Sequence, residues 1–155
     1  MCKFFRKKPV ISLMTVPSSV IAGAIQTGGL TMMYSNLLDY NVDYEYVTES
    51  DWLKVFEYIY AQYKPPAAGK PGIDCDDYAF WLKGMVGAVF GINGCAFAIG
   101  DLDNGEGELR GRHALNMVWI GEGFKLWEPN PGFRMNKLFN VREGPMFFTP
   151  RYILM

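Results

Sequence analysis

Gly72-Ile73-Asp74-Cys75-Asp76-Asp77-Tyr78-Ala79-Phe80-Trp81 is the stretch on which the fold of this chain turns. A glycine turn delivers a cysteine to the start of an apolar run that stops at Gly91, which predicts a helix from about Asp76 to Phe90. Ala79, Leu82, Val86 and Val89 form one stripe of that helix, and Tyr78, Trp81, Met85 and Ala88 form a second. A helix apolar around most of its circumference is expected to be surrounded by protein, with Gly84, Gly87 and Ala88 admitting close neighbours. Asp76 and Asp77 fall in the first turn, where carboxylates meet unpaired backbone amides.

Two later segments answer this helix. Arg112 to Ile120 alternates as a strand with Leu115, Met117 and Trp119 on the face of His113, and Ala114, Val118 and Ile120 on the other. Both faces are apolar, so the strand is expected to be central. Phe124 to Glu128 follows across Gly121-Glu122-Gly123, and Pro129-Asn130-Pro131-Gly132 ends the hairpin. A two-residue turn at Glu122-Gly123 would set Gly132 opposite His113, with Glu128 and Asn130 on the histidine's face and Asn130 the nearer. Cys95 to Ile99 reads as a further strand before a polar turn from Asp101 to Glu108, and Met146 to Leu154 as a last one around Pro150. Upstream, Val42 to Val47 reads as a short extended piece with Tyr44 and Tyr46 on one face. Thr48 and Asp51 resemble a capping box that opens a helix to about Tyr63, with Trp52, Val55, Phe56, Ile59, Tyr60 and Tyr63 on its core face. Leu30 to Leu38 reads equally as strand or helix. The expectation is one α+β domain over residues 1–155, its core from about 42 onward and residues 1–41 the least readable. Its helices pack to one side of an antiparallel sheet.

The chemistry lies in a thiol, an imidazole and a carboxylate that occur in the order Cys75, His113, Glu128. That is the inventory of a nucleophilic cysteine site, in which a base activates the thiol and a third group orients the base. His113 is the chain's single histidine, so any step that needs an imidazole must use it. Each member also has a plainer reading. An unpaired thiol is commonly a small buried hydrophobe, which suits Cys95 and the terminal Cys2. Cys75 differs because Asp74, Asp76 and Asp77 surround it. A helix N-terminus favours its thiolate, while the neighbouring carboxylates oppose it. His113 reads alternatively as a core histidine held by two hydrogen bonds. The three aspartates offer too few partners for an oxygen cage, and a zinc site of Cys75, His113 and one carboxylate would be an open three-ligand set. No metal or cofactor is expected.

Cys-Asp-Asp-Tyr-Ala at 75–79, His-Ala at 113–114 leading a strand and short turn, and an acid before proline at 128–129 together resemble the transglutaminase-like cysteine superfamily. They are most similar to its bacterial cysteine-proteinase-like branch. The resemblance runs from about Gly72 to Gly132. It implies a papain-like or transglutaminase-like architecture, in which a central buried helix carrying Cys75 packs on an antiparallel sheet carrying His113 and the acid. It also implies an acyl-transfer or amide-hydrolysing activity through a thioester, with Cys75 as nucleophile, His113 as base and Glu128 orienting it. The sulfur should then lie about 3.5–4 Å from a ring nitrogen of His113. The family's usual acid is aspartate, so the glutamate departs from the pattern, and Asn130 stands as the alternative third member. An oxyanion hole would use the Cys75 amide and a second donor; Gln62 is a candidate by position alone. A peptide or protein substrate follows, cell-wall peptide among the candidates. The rival reading is a binding or structural protein that retains the fold.

Composition narrows the partners. In 155 residues, 15 Lys and Arg balance 16 Asp and Glu, which gives no phosphate-binding surface and no expectation of nucleic acid. Half the residues are hydrophobic, which excludes disorder as a description. Three cysteines are few and odd in number, which fits a cytoplasmic or other reducing compartment. Lys3, Arg6, Lys7 and Lys8 precede a mildly apolar run from Val10 to Ile25, similar to a weak secretory signal, so export stays open. Ser12, Thr15 and Pro17 to Ser19 make that run too polar to cross a bilayer, and a membrane partner is not expected.

Overall fold

A computed structural model describes residues 6–32, 43–67, 70–133, 135–141, 143 and 147–155. The chain runs β1 (Met14–Pro17), α1 (Ser18–Thr27), β2 (Thr31–Met32), β3 (Asp43–Tyr46), α2 (Glu49–Gln62), α3 (Cys75–Phe90), β4 (Cys95–Asp103), β5 (Leu109–Trp119), β6 (Phe124–Trp127), a 3₁₀ turn (Pro131–Phe133) and β7 (Phe147–Leu154). It is an α+β arrangement. The main sheet has the order β2-β7-β4-β5-β6, and β1 pairs separately with β3. Most of Leu30–Leu38, together with Val42 and Met146, lies outside the described residues.

The helix ends follow from local chemistry. Asp74 caps α3 in a reciprocal box with Asp77, and Gly91 closes it in the left-handed conformation at φ 74°. Thr48 caps α2, its hydroxyl accepting from the Asp51 amide at 3.3 Å. Trp52, Val55, Phe56 and Ile59 of α2 are buried as their spacing predicts. Tyr63, assigned to the same face, is instead an exposed residue in extended conformation just past the helix end. Extended geometry there turns the ring away from the α2 stripe.

Three expectations about the sheet need correction. It is mixed rather than antiparallel, because β2 joins β7 in parallel. The helices lie on both faces: Ile21 and Ile25 of α1 pack with Leu115, Met117 and Trp119. On the other face, α2 and α3 pack with Cys95, Val118 and Trp127. Strand alternation forces this split, since a strand apolar on both faces needs two covers. The third concerns α3, which is not enclosed all round: Gly84, Gly87 and Ala88 are exposed, and nothing lies within 4 Å of a side chain added at Gly84. Its buried side is Tyr78, Ala79, Leu82, Val86 and Phe90.

Strand β4 also outruns its predicted end, continuing through Asp101 to Asp103 because β5 and β7 pair with it on both sides. The intervening turn is held by Asn104, whose side-chain oxygen accepts from the amides of Glu106 and Glu108. Among the described residues no helix is long and apolar enough to cross a membrane.

Candidate active site

The site is built at an edge. Strand β6 pairs with β5 only over Asn116 to Trp119, so the β6 side of β5 from Leu109 to Leu115 is left without that partner. Trp119 pairs with Phe124 across a four-residue connection, not the two-residue turn expected, and Gly121 takes φ 105° within it. The register therefore shifts by two. Continued, it would set Asn130 rather than Gly132 opposite His113. An even shift keeps every residue on its face, so His113, Glu128 and Asn130 stay on one side.

His113 and Glu128 meet. Nε2 of His113 lies 2.6 Å from Oε2 of Glu128, whose side chain is fully enclosed while the histidine's is 14% exposed. The second carboxylate oxygen accepts from the Asn130 amide at 2.8 Å. Both oxygens are thus engaged, which a buried carboxylate requires. Asn130, the alternative third member, turns elsewhere: its Oδ1 accepts from the Gly132 amide at 2.9 Å and shapes the 3₁₀ turn. With Nε2 committed to the carboxylate, Nδ1 is the ring nitrogen left to exchange a proton.

Cys75 is the first residue of α3 and half-buried. With Ile99 and Leu154 it packs against Ala79, Phe97 and Ala114, which sets the helix start over β4 and β5, and it interacts with the backbone of Ala114, the residue after His113. Buried Asn116 fixes this placement, donating from Nδ2 to the carbonyls of Ala79 (3.0 Å) and Ala96 (3.1 Å). The structure does not supply the expected thiol–imidazole hydrogen bond: among the described residues none joins Cys75 to His113. Ala114 and Asn116 turn toward α3, and by strand alternation His113 lies off that face. Its ring is engaged instead by Glu128, beyond the end of β6.

The thiol's electrostatics also depart from expectation. Burial raises the Cys75 pKa above the ordinary thiol value, and Asp74 and Glu128 raise it further. Interactions with the backbone of Ala114 and of Cys75 itself pull it down without cancelling the rise. The start of α3 therefore does not offset the burial of the thiol and the charge of Asp74 beside it. Cys95, fully buried, is pushed up to about 12.

Ligand atoms of Asp74, Cys75 and Asp76 lie within 4.8 Å of one another, in a set that does not include His113. Asp74 is committed to the helix cap, its Oδ1 accepting from the Asp76 amide at 3.3 Å. Gln62 closes α2, and among the described contacts none links it to the thiol.

Tyr60 is a residue the sequence reading assigned only to core. Its hydroxyl donates to the Pro129 carbonyl at 2.5 Å and pins the corner that carries Glu128. Burial pushes its phenol pKa up, with the Glu128 charge adding to the effect. Tyr60 sits on the apolar stripe of α2, so no sequence signal distinguished it from packing. It also lines a cleft of ≈ 270 Å³ with Pro65, Trp127, Glu128 and Asn130. No protein-family model matches the chain, and no curated protein matches it.

Proposed function

We propose that the chain is a cysteine-dependent acyl-transfer enzyme of transglutaminase-like type that hydrolyses an amide or peptide bond. The observation that carries this reading is the enclosed His113–Glu128 hydrogen bond beside the start of the helix that bears Cys75. Burying a carboxylate is costly without such engagement, and orienting an imidazole is a use that accounts for it.

In this scheme the Cys75 sulfur attacks the amide carbonyl carbon while Nδ1 of His113 takes the thiol proton. The C–N bond breaks as that proton passes to the leaving amine, which leaves a thioester. Water, deprotonated by the same nitrogen, cleaves the C–S bond and returns the proton to sulfur. The raised thiol of Cys75 makes the resting sulfur neutral, so base assistance accompanies attack instead of preceding it.

A second reading has its own support. The raised thiol, and the absence of a described hydrogen bond from it to His113, suit a binding protein in which His113 and Glu128 are a structural pair. Incubation with p-nitrophenyl acetate followed by peptide mass spectrometry separates the two. The enzyme reading expects one acetyl group on Cys75, formed much more slowly in His113→Ala and released with time. Acetylation that ignores the histidine would favour the binding protein.

A further inference from the structure

A second cleft, of ≈ 280 Å³, opens on the sheet where β2, β7, β4 and β5 run side by side. Its lining includes two guanidinium groups, Arg112 and Arg151, and one carboxylate, Asp101. The backbone arranges them. The β4–β7 register slips between Ile99, which pairs with Tyr152, and Gly100, which pairs with Pro150, so Arg151 is the extra residue of a bulge. Bulges redirect the side chain they carry. Only glycine fits at position 100, because a Cβ there would lie 2.7 Å from the Phe148 ring and 2.8 Å from the Pro150 Cα. The bulge brings Arg151 Nε to 2.8 Å from Asp101 Oδ2. Arg112 pairs in register with Asp101 on β5, and it makes no ion pair among the described residues.

The cleft and the thiol are linked through one residue. Ile99 lines the cleft and also packs in the small cluster that holds Cys75 and Ala114. By alternation, Arg112 shares the face of Ala114, two residues on. Two guanidiniums less one carboxylate leave one positive charge in a concave site, which favours an anionic group. A planar fork of N–H donors fits a carboxylate in bidentate fashion. We propose that Arg112 and Arg151 form a carboxylate-binding subsite, and that the acyl donor carries an acidic group which docks there as its carbonyl meets Cys75. The subsite stands on the cleft's own geometry; its assignment to the substrate rests on the acyl-transfer reading above.

Two measurements test this. Iodoacetate and iodoacetamide deliver the same electrophilic carbon, and only the first carries a carboxylate. The ratio of their rates at Cys75 should fall about fivefold or more in Arg112→Gln and in Arg151→Gln, with the iodoacetamide rate changed by less than about twofold. An unchanged ratio overturns the substrate assignment. Independently, titration of the isotope-labelled protein with succinate should move the amide resonances of Gly100, Asp101 and Tyr152, and Arg112→Gln should abolish those shifts. Silence at those amides, or a response to inorganic phosphate but not to succinate, overturns the carboxylate subsite. If His113→Ala leaves acetylation untouched while succinate still moves these amides, the acyl-transfer reading has failed and the subsite has not.

Discussion

Replacing Glu128 by Gln keeps the side chain's size and removes its charge from a contact that water does not screen. The Glu128 side chain is fully enclosed and its oxygen lies 2.6 Å from Nε2 of His113. A hydrogen bond to a charged group is worth about 1.5–3 kcal/mol, and each 1.4 kcal/mol is tenfold, so the imidazolium formed on attack loses roughly 10–10²-fold in population. A direct effect opposes this. The Glu128 charge also disfavours the Cys75 thiolate, so removing it helps ionisation. That influence is the smallest of those acting on the thiol, whereas the histidine is in direct contact, so slowing should win. The glutamine amide must also face either the Asn130 N–H or the ring with a donor, which costs about 1–3 kcal/mol of stability. The assay is Cys75 alkylation by iodoacetamide from pH 6 to 9, with urea unfolding to confirm that the variant remains folded. Glu128→Gln should react on the order of 10–10² times more slowly at neutral pH, and Asn130→Ala should change little. A Glu128→Gln rate equal to or above wild type at every pH would show that the carboxylate acts only as a like-charge neighbour of the sulfur.

Asp74→Ala should move stability and reactivity in opposite directions. Loss of the α3 cap costs about 1 kcal/mol in urea unfolding, while removal of a charge that raises the Cys75 thiol speeds its alkylation. A slower reaction would mean that the cap positions the sulfur more than its charge hinders it. Asn116→Ala should cost about 2–3 kcal/mol, because two buried hydrogen bonds tying β5 to α3 and to β4 are lost and a void is left. A loss below about 0.5 kcal/mol would mean the helix start is held by other contacts. Alkaline stability should depend on Cys95, whose folded value is raised from the ordinary 9.0 to about 12. The unfolded chain releases that proton first, so stability falls as pH rises above about 9, by up to about 1.4 kcal/mol per unit until 12. Cys95→Ala should unfold with a shallower pH dependence over that window, and equal slopes would show that the thiol does not contribute.

Local rules carried the sequence a definite distance into this protein. Asp74, Asp77 and Gly91 mark α3 because caps depend on residues a few positions apart. The spacing of Trp52, Val55, Phe56 and Ile59 marks the buried side of α2 for the same reason. Glu128 and Asn130 share a face with His113 under any even register shift, so strand alternation alone brought two acceptors into contention. The choice between them belonged to the tertiary structure, because it depends on a four-residue connection and on a corner that Tyr60 pins from a distant helix. Packing likewise decided that α1 covers the opposite face from α2 and α3, and that β2 joins in parallel. The thiol's rise in pKa came first from burial, which only packing decides, then from Asp74, its neighbour in the chain, and least from Glu128, 53 positions away in sequence. The bulge at Arg151 was hidden for the same reason, since it exists only in the pairing of β7 with β4. What depends on neighbours along the chain is written in the chain; what depends on neighbours across space exists only once the sheet and its two covers have closed.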